Sequence, residues 1–265
     1  MTADLADLWP VAHALADAAR VETLRWFRGG ALSIDNKAAG GFDPVTQADR
    51  ASEAAMRAVL ARLRPDDAVL GEEQAATGGT SGLTWVLDPI DGTRAYLSGT
   101  PTWGVLIALS DATGPKLGII DQPYIGERFA GGAGVARVTG PQGEATLRTR
   151  ATARLEDAVI FTTFPEVGSE AERAAFHALA RACRLTRYGM DCYAYALLAA
   201  GQIDLVVEAG LQAYDVCAPI AVIEAAGGVV TDWQGGPAHH GGRVLAAANP
   251  VIHAAALDRL RQAGD

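Results

Sequence analysis

The sequence predicts a layered protein of helices and sheets, on the border between the α+β and α/β classes. Three observations predict it. About the first sixty residues have the periodicity of two amphipathic helices, short β-rich runs at hairpin-like spacing follow, and helices alternate with strands beyond about residue 150. Because 49% of the 265 residues are hydrophobic, the chain can bury a substantial core.

The N-terminal region predicts two helices joined by a loop. The first runs over about 9–27 and the second over about 47–63, directly after Thr46 and up to a proline. Threonine is a good N-cap and proline cannot continue a helix, so both ends of the second helix carry a signal. The polar loop 33–43 contains Lys37 and could close over a ligand.

The middle of the chain predicts one mostly antiparallel sheet. Its runs are short and β-rich, and turns separate them. The first two runs end abruptly in acidic residues. The predicted strands are 68–70, 84–87, 103–109, 116–120, 128–131 and 135–139.

The C-terminal part predicts a second sheet covered by helices. The Pro-Gln-Gly stretch at 141–143 is the natural seam, so we expect halves 1–145 and 146–265 that pack as one compact unit. The predicted strands are 158–162, 184–188, 203–207, 229–231 and 244–247, and the predicted helices are 169–183, 192–200, 215–226 and 250–262.

Charge limits the partners that the chain can have. It holds 31 Asp and Glu against 22 Lys and Arg, a formal net charge of −9. Broad contact with the phosphates of a nucleic acid is therefore not expected. The surplus of carboxylates suits a divalent cation or a cationic ligand, although an acidic surface also serves solubility.

The sequence carries no pattern typical of export or membrane insertion. Its three cysteines, Cys183, Cys192 and Cys217, lack the Cys-x-x-Cys spacing of a zinc or disulfide framework. The start is acidic rather than basic, and no apolar stretch reaches the roughly 18 residues that span a bilayer. We expect a cytoplasmic protein with no membrane partner.

The sharpest motif is Asp88-Pro89-Ile90-Asp91-Gly92-Thr93, at the end of an apolar strand. Proline stiffens the turn between two carboxylates, and glycine lets the backbone approach a ligand closely. If a short helix begins at Gly92-Thr93, its N–H groups could bind an anion beside two metal-binding carboxylates. The alternative is an ordinary capped turn, because Asp and Gly are common turn residues.

Three more acids stand at the ends of predicted elements. Glu72 follows a strand and could simply be exposed, Asp215 could be the N-cap of its helix, and Asp49 could be a first-turn acid that the helix dipole favours. Hard oxygen ligands from these residues and the motif could together form a Mg²⁺ cluster of the kind that performs phosphoryl transfer.

The motifs together resemble the inositol monophosphatase family. They are Gly-Glu-Glu at 71–73, Trp-Val-Leu-Asp-Pro-Ile-Asp-Gly-Thr at 85–93, and Asp215 followed by Glu-Ala-Ala-Gly-Gly at 224–228. The resemblance implies a Mg²⁺-dependent, Li⁺-sensitive phosphatase of a small phosphorylated metabolite, usually a homodimer. It also implies the αβαβα sandwich that these enzymes share with the fructose-1,6-bisphosphatase-like sugar phosphatases.

The resemblance also implies a ligand set for two to three Mg²⁺ ions. Glu72, Asp88 and the Ile90 carbonyl would hold one metal, and Asp88, Asp91 and Asp215 a second. Glu72 would also anchor a third, weaker metal. Most of these ligands lie in the first half of the chain, and the second half would complete the substrate site.

Further roles follow from the same resemblance. Asp49 and Thr93 match the pair that orients and deprotonates the attacking water, and Glu72 counts with them as catalytic. The N–H groups of Gly92 and Thr93 match the phosphate-binding groups. Lys37 matches a basic residue of a loop and could balance metal or phosphate charge. Direct attack by water needs no covalent enzyme intermediate.

The substrate is indicated by residues around this machinery. Segments 94–96, 191–195 and 207–215 resemble the histidinol-phosphatase branch of the family, whereas inositol enzymes commonly have tryptophan in place of Tyr214. Pro219 stands earlier than in many histidinol phosphatases, which is a departure from that branch.

Charge favours the same substrate. Asp191 and Glu208 would attract the cationic end of histidinol phosphate, and Arg94 would complete the substrate-binding set. Against this, Glu208 also matches a glutamate that binds a hydroxyl in inositol phosphatases, and Asp191 could be only an N-cap. We expect a histidinol-phosphatase of histidine biosynthesis. The alternatives are an inositol-1-monophosphatase, a broad sugar or nucleotide phosphatase, and a non-catalytic phosphometabolite-binding protein.

Overall fold

The structure is a computed structural model that describes residues 5–29, 34–36, 44–166 and 168–264. Its described part contains seven α-helices and short 3-10 turns at Leu5–Leu8 and Leu155–Asp157. The helices are α1 (Trp9–Trp26), α2 (Gln47–Leu63), α3 (Thr93–Ser98), α4 (Glu170–Ala180), α5 (Asp191–Ala199), α6 (Ala213–Ala225) and α7 (Pro250–Gly264).

A hairpin and a large sheet form the first part of the fold. The hairpin pairs β1 (Ile34–Asn36) with β2 (Pro44–Thr46) in antiparallel fashion. The seven-stranded sheet follows chain order, and only its first pair of strands is parallel. Its strands are β3 (Ala68–Gly71), β4 (Thr84–Asp91), β5 (Gly104–Asp111), β6 (Gly114–Gln122), β7 (Glu127–Gly132), β8 (Val135–Gly140) and β9 (Gly143–Thr146).

The second sheet has five strands in the order β11-β10-β12-β14-β13. The first three strands in that order are parallel to each other, as expected for strands linked through helices, and the other two pair antiparallel. The strands are β10 (Val159–Thr162), β11 (Leu185–Tyr188), β12 (Leu205–Leu211), β13 (Val229–Thr231) and β14 (Gly242–Ala247).

The elements stack as helices, sheet, helices, sheet, helices. Helices α1 and α2 cover one face of the large sheet, and α5 and α6 lie between the two sheets. Helices α4 and α7 pack together on the outer face of the small sheet. The layered class that the sequence predicts is confirmed.

Alternating side chains join these layers. In β4, Val86 packs into the central core between the sheets, and its neighbour Leu87 packs under α1 and α2. The same alternation holds for Leu106 and Ile107 of β5, because successive strand residues point to opposite faces. The central core draws on both halves of the chain, so the two sheets are held through one apolar layer.

Local differences from the predicted elements are few. Strand β4 continues to Asp91 instead of ending at 87, and two short strands absent from the prediction, β1 at 34–36 and β2 at 44–46, form a hairpin. The predicted seam at 141–143 is the turn of a hairpin that adds β9, a strand absent from the prediction. Among the described residues, no helix is long and apolar enough to cross a membrane.

Candidate active site

An irregularity in β4 brings Asp88 and Asp91 together. Residues three apart on a regular strand would point to opposite faces. The β4–β5 register shifts between Asp88 and Asp91, which turns the second carboxylate toward the first. Pro89 is tolerated here because the ladder to β3 ends at Leu87, so no backbone partner in β3 is lost.

Asp215 completes a compact group of carboxylates. It lies in the first turn of α6, where Gln212 is the N-cap and donates its backbone N–H to Asp215 Oδ2 at 2.6 Å. Asp215 is therefore not the N-cap that was one reading of its position. Carboxylate oxygens of Asp88, Asp91 and Asp215 all lie within 4.8 Å of one another.

The fourth acid, Glu72, is positioned by a buried glutamate of α2. The Glu72 carboxylate lies close enough to Asp88 for its charge to raise the pKa of Asp88. The turn that carries it is held by the fully buried carboxylate of Glu53, which accepts N–H bonds from Glu73 at 2.7 Å and Gln74 at 3.2 Å. We call Glu72, Asp88, Asp91 and Asp215 the acidic cluster.

The electrostatics of the acidic cluster fit a cation. Burial raises the pKa of Asp88 well above its usual range, and the charges of Glu72, Asp91 and Asp215 raise it further. Burial and the nearby Asp191 and Asp215 do the same for the pKa of Asp91. Converging carboxylates that repel each other are stabilised by a bound divalent ion, and all-oxygen donors suit a hard cation.

The short helix that the motif predicts is present. Gly92 is its N-cap, with a φ of 84° that favours glycine. A Cβ at Gly92 would also lie 2.7 Å from Cγ of Asp191, so a larger residue could not fit. The Thr93 hydroxyl donates to the Ile90 carbonyl at 3.2 Å, which fixes the turn and leaves that carbonyl a second lone pair.

Asp49 is fully buried in the first turn of α2. Its Oδ2 accepts from the backbone N–H of Thr46 at 2.9 Å and from the Thr46 hydroxyl at 2.5 Å. Its Oδ1 has no hydrogen-bond partner among the described residues. Burial raises the pKa of Asp49 to about 6, and the nearby Glu72 adds to the rise. One oxygen is thus structural, and the other is available to a water.

Asp191 connects the acidic cluster to a pocket. It begins α5 with Met190 at the N-cap, so the simple capping role is not observed. Its φ of 47° is unusual for a residue with a side chain, and such strain often occurs at functional sites. The next residue, Cys192, donates its N–H to Asp91 at 2.5 Å. Burial raises the pKa of Asp191 to about 6, although Thr102 and Arg94 oppose the rise.

Glu208 lies in β12 and is held by the end of β10. Its carboxylate accepts from the Thr162 hydroxyl at 3.0 Å and from the backbone N–H of Thr163 at 2.6 Å. Burial raises the pKa of Glu208 to about 7, more than these hydrogen bonds lower it. The group is therefore a preorganised acceptor that ionises near neutrality.

A pocket of about 180 Å³ opens beside the acidic cluster. We call it the alcohol pocket. A recess of about 250 Å³ adjoins it, and Phe164 and Asp191 line both. The Arg94 guanidinium lies 5.8 Å from the centre of the Phe164 ring. Six of the residues that line the alcohol pocket are Asp91, Phe164, Asp191, Tyr195, Glu208 and Asp215.

The structure brings together the site residues that fall in its described part. Lys37 lies outside the described residues. Sequence reasoning missed Glu53, Tyr195 and Phe164. The sequence could have indicated two of them, because each stands four residues after a predicted site residue on the same helix. Glu53 follows Asp49 in α2, and Tyr195 follows Asp191 in α5.

Known sequences are similar to this chain over most of its length. Residues 4–265 match the inositol monophosphatase family. The bifunctional phosphatase IMPL2, chloroplastic, of Arabidopsis thaliana is 41% identical over 85% of this chain, which spans only 64% of that protein's length. A histidinol-phosphatase of Streptomyces coelicolor is 34% identical over 98% of each sequence.

Comparison with solved structures supports the fold. The structure of an inositol monophosphatase from Zymomonas mobilis is similar with a TM-score of 0.84 and 39% sequence identity. The match covers 98% of this chain and 100% of that one. The αβαβα sandwich implied by the motifs is confirmed.

Proposed function

This chain belongs to the inositol monophosphatase family, as its motifs predict, and from that premise we propose a Mg²⁺-dependent histidinol-phosphatase. The coarser activity, phosphatase, follows from the family and its relatives. The finer proposal is hydrolysis of L-histidinol phosphate to L-histidinol and phosphate, a step of histidine biosynthesis.

One observation carries the choice of substrate. Two carboxylates, Asp191 and Glu208, line the alcohol pocket beside the acidic cluster and belong to no metal-ligand set. Histidinol carries an ammonium and a titratable imidazole, whereas inositol is a neutral polyol that needs only hydrogen bonds. Acidic groups beyond those that a metal requires therefore favour the cationic alcohol. The relatives named histidinol-phosphatase support the same choice.

The acidic cluster would hold the metal. Glu72, Asp88 and the Ile90 carbonyl would bind one Mg²⁺, Asp88, Asp91 and Asp215 a second, and Glu72 a third, weaker one. Bound Mg²⁺ would offset the charge of the phosphate and make a water more acidic. The backbone N–H groups of Gly92 and Thr93 would bind the phosphate oxygens.

Asp49 would act as the general base, with Thr93 orienting the water. A pKa near 6 leaves Asp49 ionised at neutral pH, yet makes it a better proton acceptor than an ordinary aspartate. The water oxygen bonds to phosphorus as the bond to the ester oxygen breaks. The water's proton passes to Asp49, and the departing alcohol takes a proton from solvent.

Inositol-1-monophosphatase is the second candidate. Glu208 is consistent with it, because a carboxylate held by two donors can also accept from a substrate hydroxyl. A non-catalytic protein that only binds a phosphometabolite is disfavoured, since the full set of Asp49, Thr93 and the acidic cluster is retained.

Lithium sensitivity and a homodimer, both family expectations, belong to the proposal. So does joint action of halves 1–145 and 146–265, which share the central core.

The test is phosphate release by the wild type and by Asp191→Asn. Asparagine keeps the shape of Asp191 and tolerates its left-handed backbone. With Mg²⁺, we expect the variant to lose about tenfold in kcat/KM on histidinol phosphate and little on inositol-1-phosphate. An equal loss on both substrates would contradict recognition of the cation by Asp191, and no release after any addition of metal would contradict the phosphatase itself.

A further inference from the structure

Tyr195 places a hydroxyl at the alcohol pocket. It stands one helical turn after Asp191 in α5, so both side chains leave the helix on the same side. The residue is only 3% exposed, its ring belongs to the central core, and it lines the pocket with Asp191 and Glu208. Packing therefore fixes the ring of Tyr195, and the hydroxyl that it carries is itself buried at the wall of the pocket.

The Tyr195 hydroxyl has no hydrogen-bond partner within the described part of the chain. Two other tyrosine hydroxyls are satisfied: the buried Tyr96 donates to the Thr23 carbonyl at 2.7 Å, and the half-buried Tyr193 donates to Glu127 at 2.7 Å. An unpaired buried hydroxyl destabilises a fold, and phenylalanine would pack as well without that cost. The hydroxyl therefore indicates a partner supplied by a ligand.

The surroundings select the kind of partner. Burial raises the pKa of the Tyr195 hydroxyl, and the charges of Glu208, Asp91 and Asp215 raise it further, so the hydroxyl stays protonated. A neutral phenol can donate one hydrogen bond and accept others. A ligand atom among so many carboxylates is most stable as a cation, and a protonated nitrogen is a donor. The lone pair of Tyr195 Oη is the matching acceptor.

We propose that Tyr195 is a specificity residue that accepts a hydrogen bond from a protonated nitrogen of the substrate's alcohol part, alongside Asp191 and Glu208. The proposal rests on the proposed histidinol-phosphatase function and deepens it. The two carboxylates supply attraction to any cation of suitable size. The hydroxyl adds a directional hydrogen bond from a protonated nitrogen, which an alcohol without nitrogen cannot make.

Tyr195→Phe tests the proposal, and Tyr193→Phe is the matched control on the same helix. With Mg²⁺, we expect Tyr195→Phe to lower kcat/KM on histidinol phosphate by about tenfold, which corresponds to about 1.4 kcal/mol, mainly through KM. On glycerol-2-phosphate, which has no nitrogen, the value should change less than about twofold. Tyr193→Phe should leave the ratio of the two substrates unchanged.

A second measurement separates a specificity role from a structural one. Tyr195→Phe should leave the melting temperature of the metal-free protein unchanged or higher, because it removes an unpaired hydroxyl. Tyr193→Phe should lower it. An equal loss on both substrates, or a change in substrate ratio from Tyr193→Phe, would overturn the proposal.

The experiments distinguish failure of the proposed function from failure of the proposed role of Tyr195. Wild-type turnover of histidinol phosphate with an unchanged Tyr195→Phe variant would overturn the role of Tyr195 alone. If the wild type turns over no phosphate ester, the proposed function fails. Calorimetric titration of histidinol phosphate into both proteins then decides the inference: weaker binding by Tyr195→Phe supports it, and equal binding or none overturns it.

Discussion

The acidic cluster and the alcohol pocket both contain carboxylates, but their carboxylates are held differently. In the cluster, burial raises the pKa values of Asp88 and Asp91, and the charges of the surrounding acids raise them further. In the pocket, threonine donors hold Asp191 and Glu208. The first arrangement is suited to a cation whatever the substrate, and the second would present fixed acceptors to the alcohol part of the proposed substrate. We expect changes in the cluster to lower all activity and changes in the pocket to alter the choice of substrate.

The two regions meet at the start of α5. Cys192 donates its backbone N–H to Asp91, and the Asp191 side chain lies against Gly92. A bulky change on either side would therefore disturb both regions. Near-isosteric substitutions are needed to separate them.

The largest effect is expected from Asp88→Asn, in the middle of the cluster. Loss of this charge should lower kcat/KM on every phosphate ester by about a thousandfold, or about 4 kcal/mol. The metal-free variant should melt at a higher temperature than the wild type at pH 8, since one repelling buried charge is gone. Phosphate release and thermal denaturation with EDTA measure both. A loss confined to one substrate would break the distinction between the regions.

A smaller loss is expected from Glu53→Gln, which weakens the support of the turn that carries Glu72. Partners that orient ligands typically contribute about 10-fold to 100-fold to metal affinity. Calorimetric titration with Mg²⁺ measures the change. Asp67→Asn is the control, because Asp67 is an equally buried carboxylate bonded to Arg64 and Trp85 instead of to the site. Equal loss of affinity in both variants would indicate a general loss of folding.

The pH dependence of the substrate preference should report on the carboxylates of the alcohol pocket. Glu208 and Asp191, with pKa values of about 7 and about 6, gain charge as the pH rises from 5.5 to 8. The preference of the wild type for histidinol phosphate over inositol-1-phosphate should rise about tenfold more over this range than that of Glu208→Gln. Parallel profiles would mean that Glu208 does not contact the cationic end.

The raised pKa of Glu208 also predicts how the stability of the protein changes with pH. Glu208 holds its proton up to about pH 7 in the folded state, against a usual value of 4.5. The free energy of unfolding of the metal-free protein should therefore fall as pH rises from about 4.5 to 7, by at most roughly 3 kcal/mol from this group. Glu208→Gln should flatten that part of the denaturation profile. A steeper denaturation profile for Glu208→Gln than for the wild type would contradict the raised pKa of Glu208.

The smallest effect is expected from Phe164→Ala. This side chain is 43% exposed and forms a wall shared by the alcohol pocket and the adjoining recess. Loss of an aromatic contact of about 0.5–1 kcal/mol should raise KM about two- to fivefold and leave kcat unchanged. Tyr188→Ala is the control, because Tyr188 is similarly exposed and packs against Phe176. A larger fall in kcat would place Phe164 closer to the reaction than we propose.

Local signals predicted much of the fold. Helix α2 occupies the predicted residues because Thr46 caps its start and Pro65 follows its end. Strands β1, β2 and β9 were missed because they are too short to show alternation, and they form only through pairing: β1 with β2, and β9 with β8. The continuation of β4 to Asp91 likewise depends on β5, which is distant in sequence.

The acidic cluster and the alcohol pocket also differ in how far the sequence predicts them. The acidic cluster is centred on one contiguous motif, so residue types alone pointed to Asp88 and Asp91. The alcohol pocket is assembled from α5, β12 and the end of β10. Helical spacing from Asp191 points to Tyr195, but its unpaired hydroxyl and the exposed ring of Phe164 are properties of the assembled pocket.

The central claim is that a general metal cluster works beside a pocket selective for a cationic alcohol. The most direct test is wild-type phosphate release from histidinol phosphate and inositol-1-phosphate, side by side with Mg²⁺ at equal low concentration. We expect kcat/KM to favour histidinol phosphate by about a hundredfold or more, about 2.7 kcal/mol of discrimination. Parity, or a preference for inositol-1-phosphate, would contradict the claim.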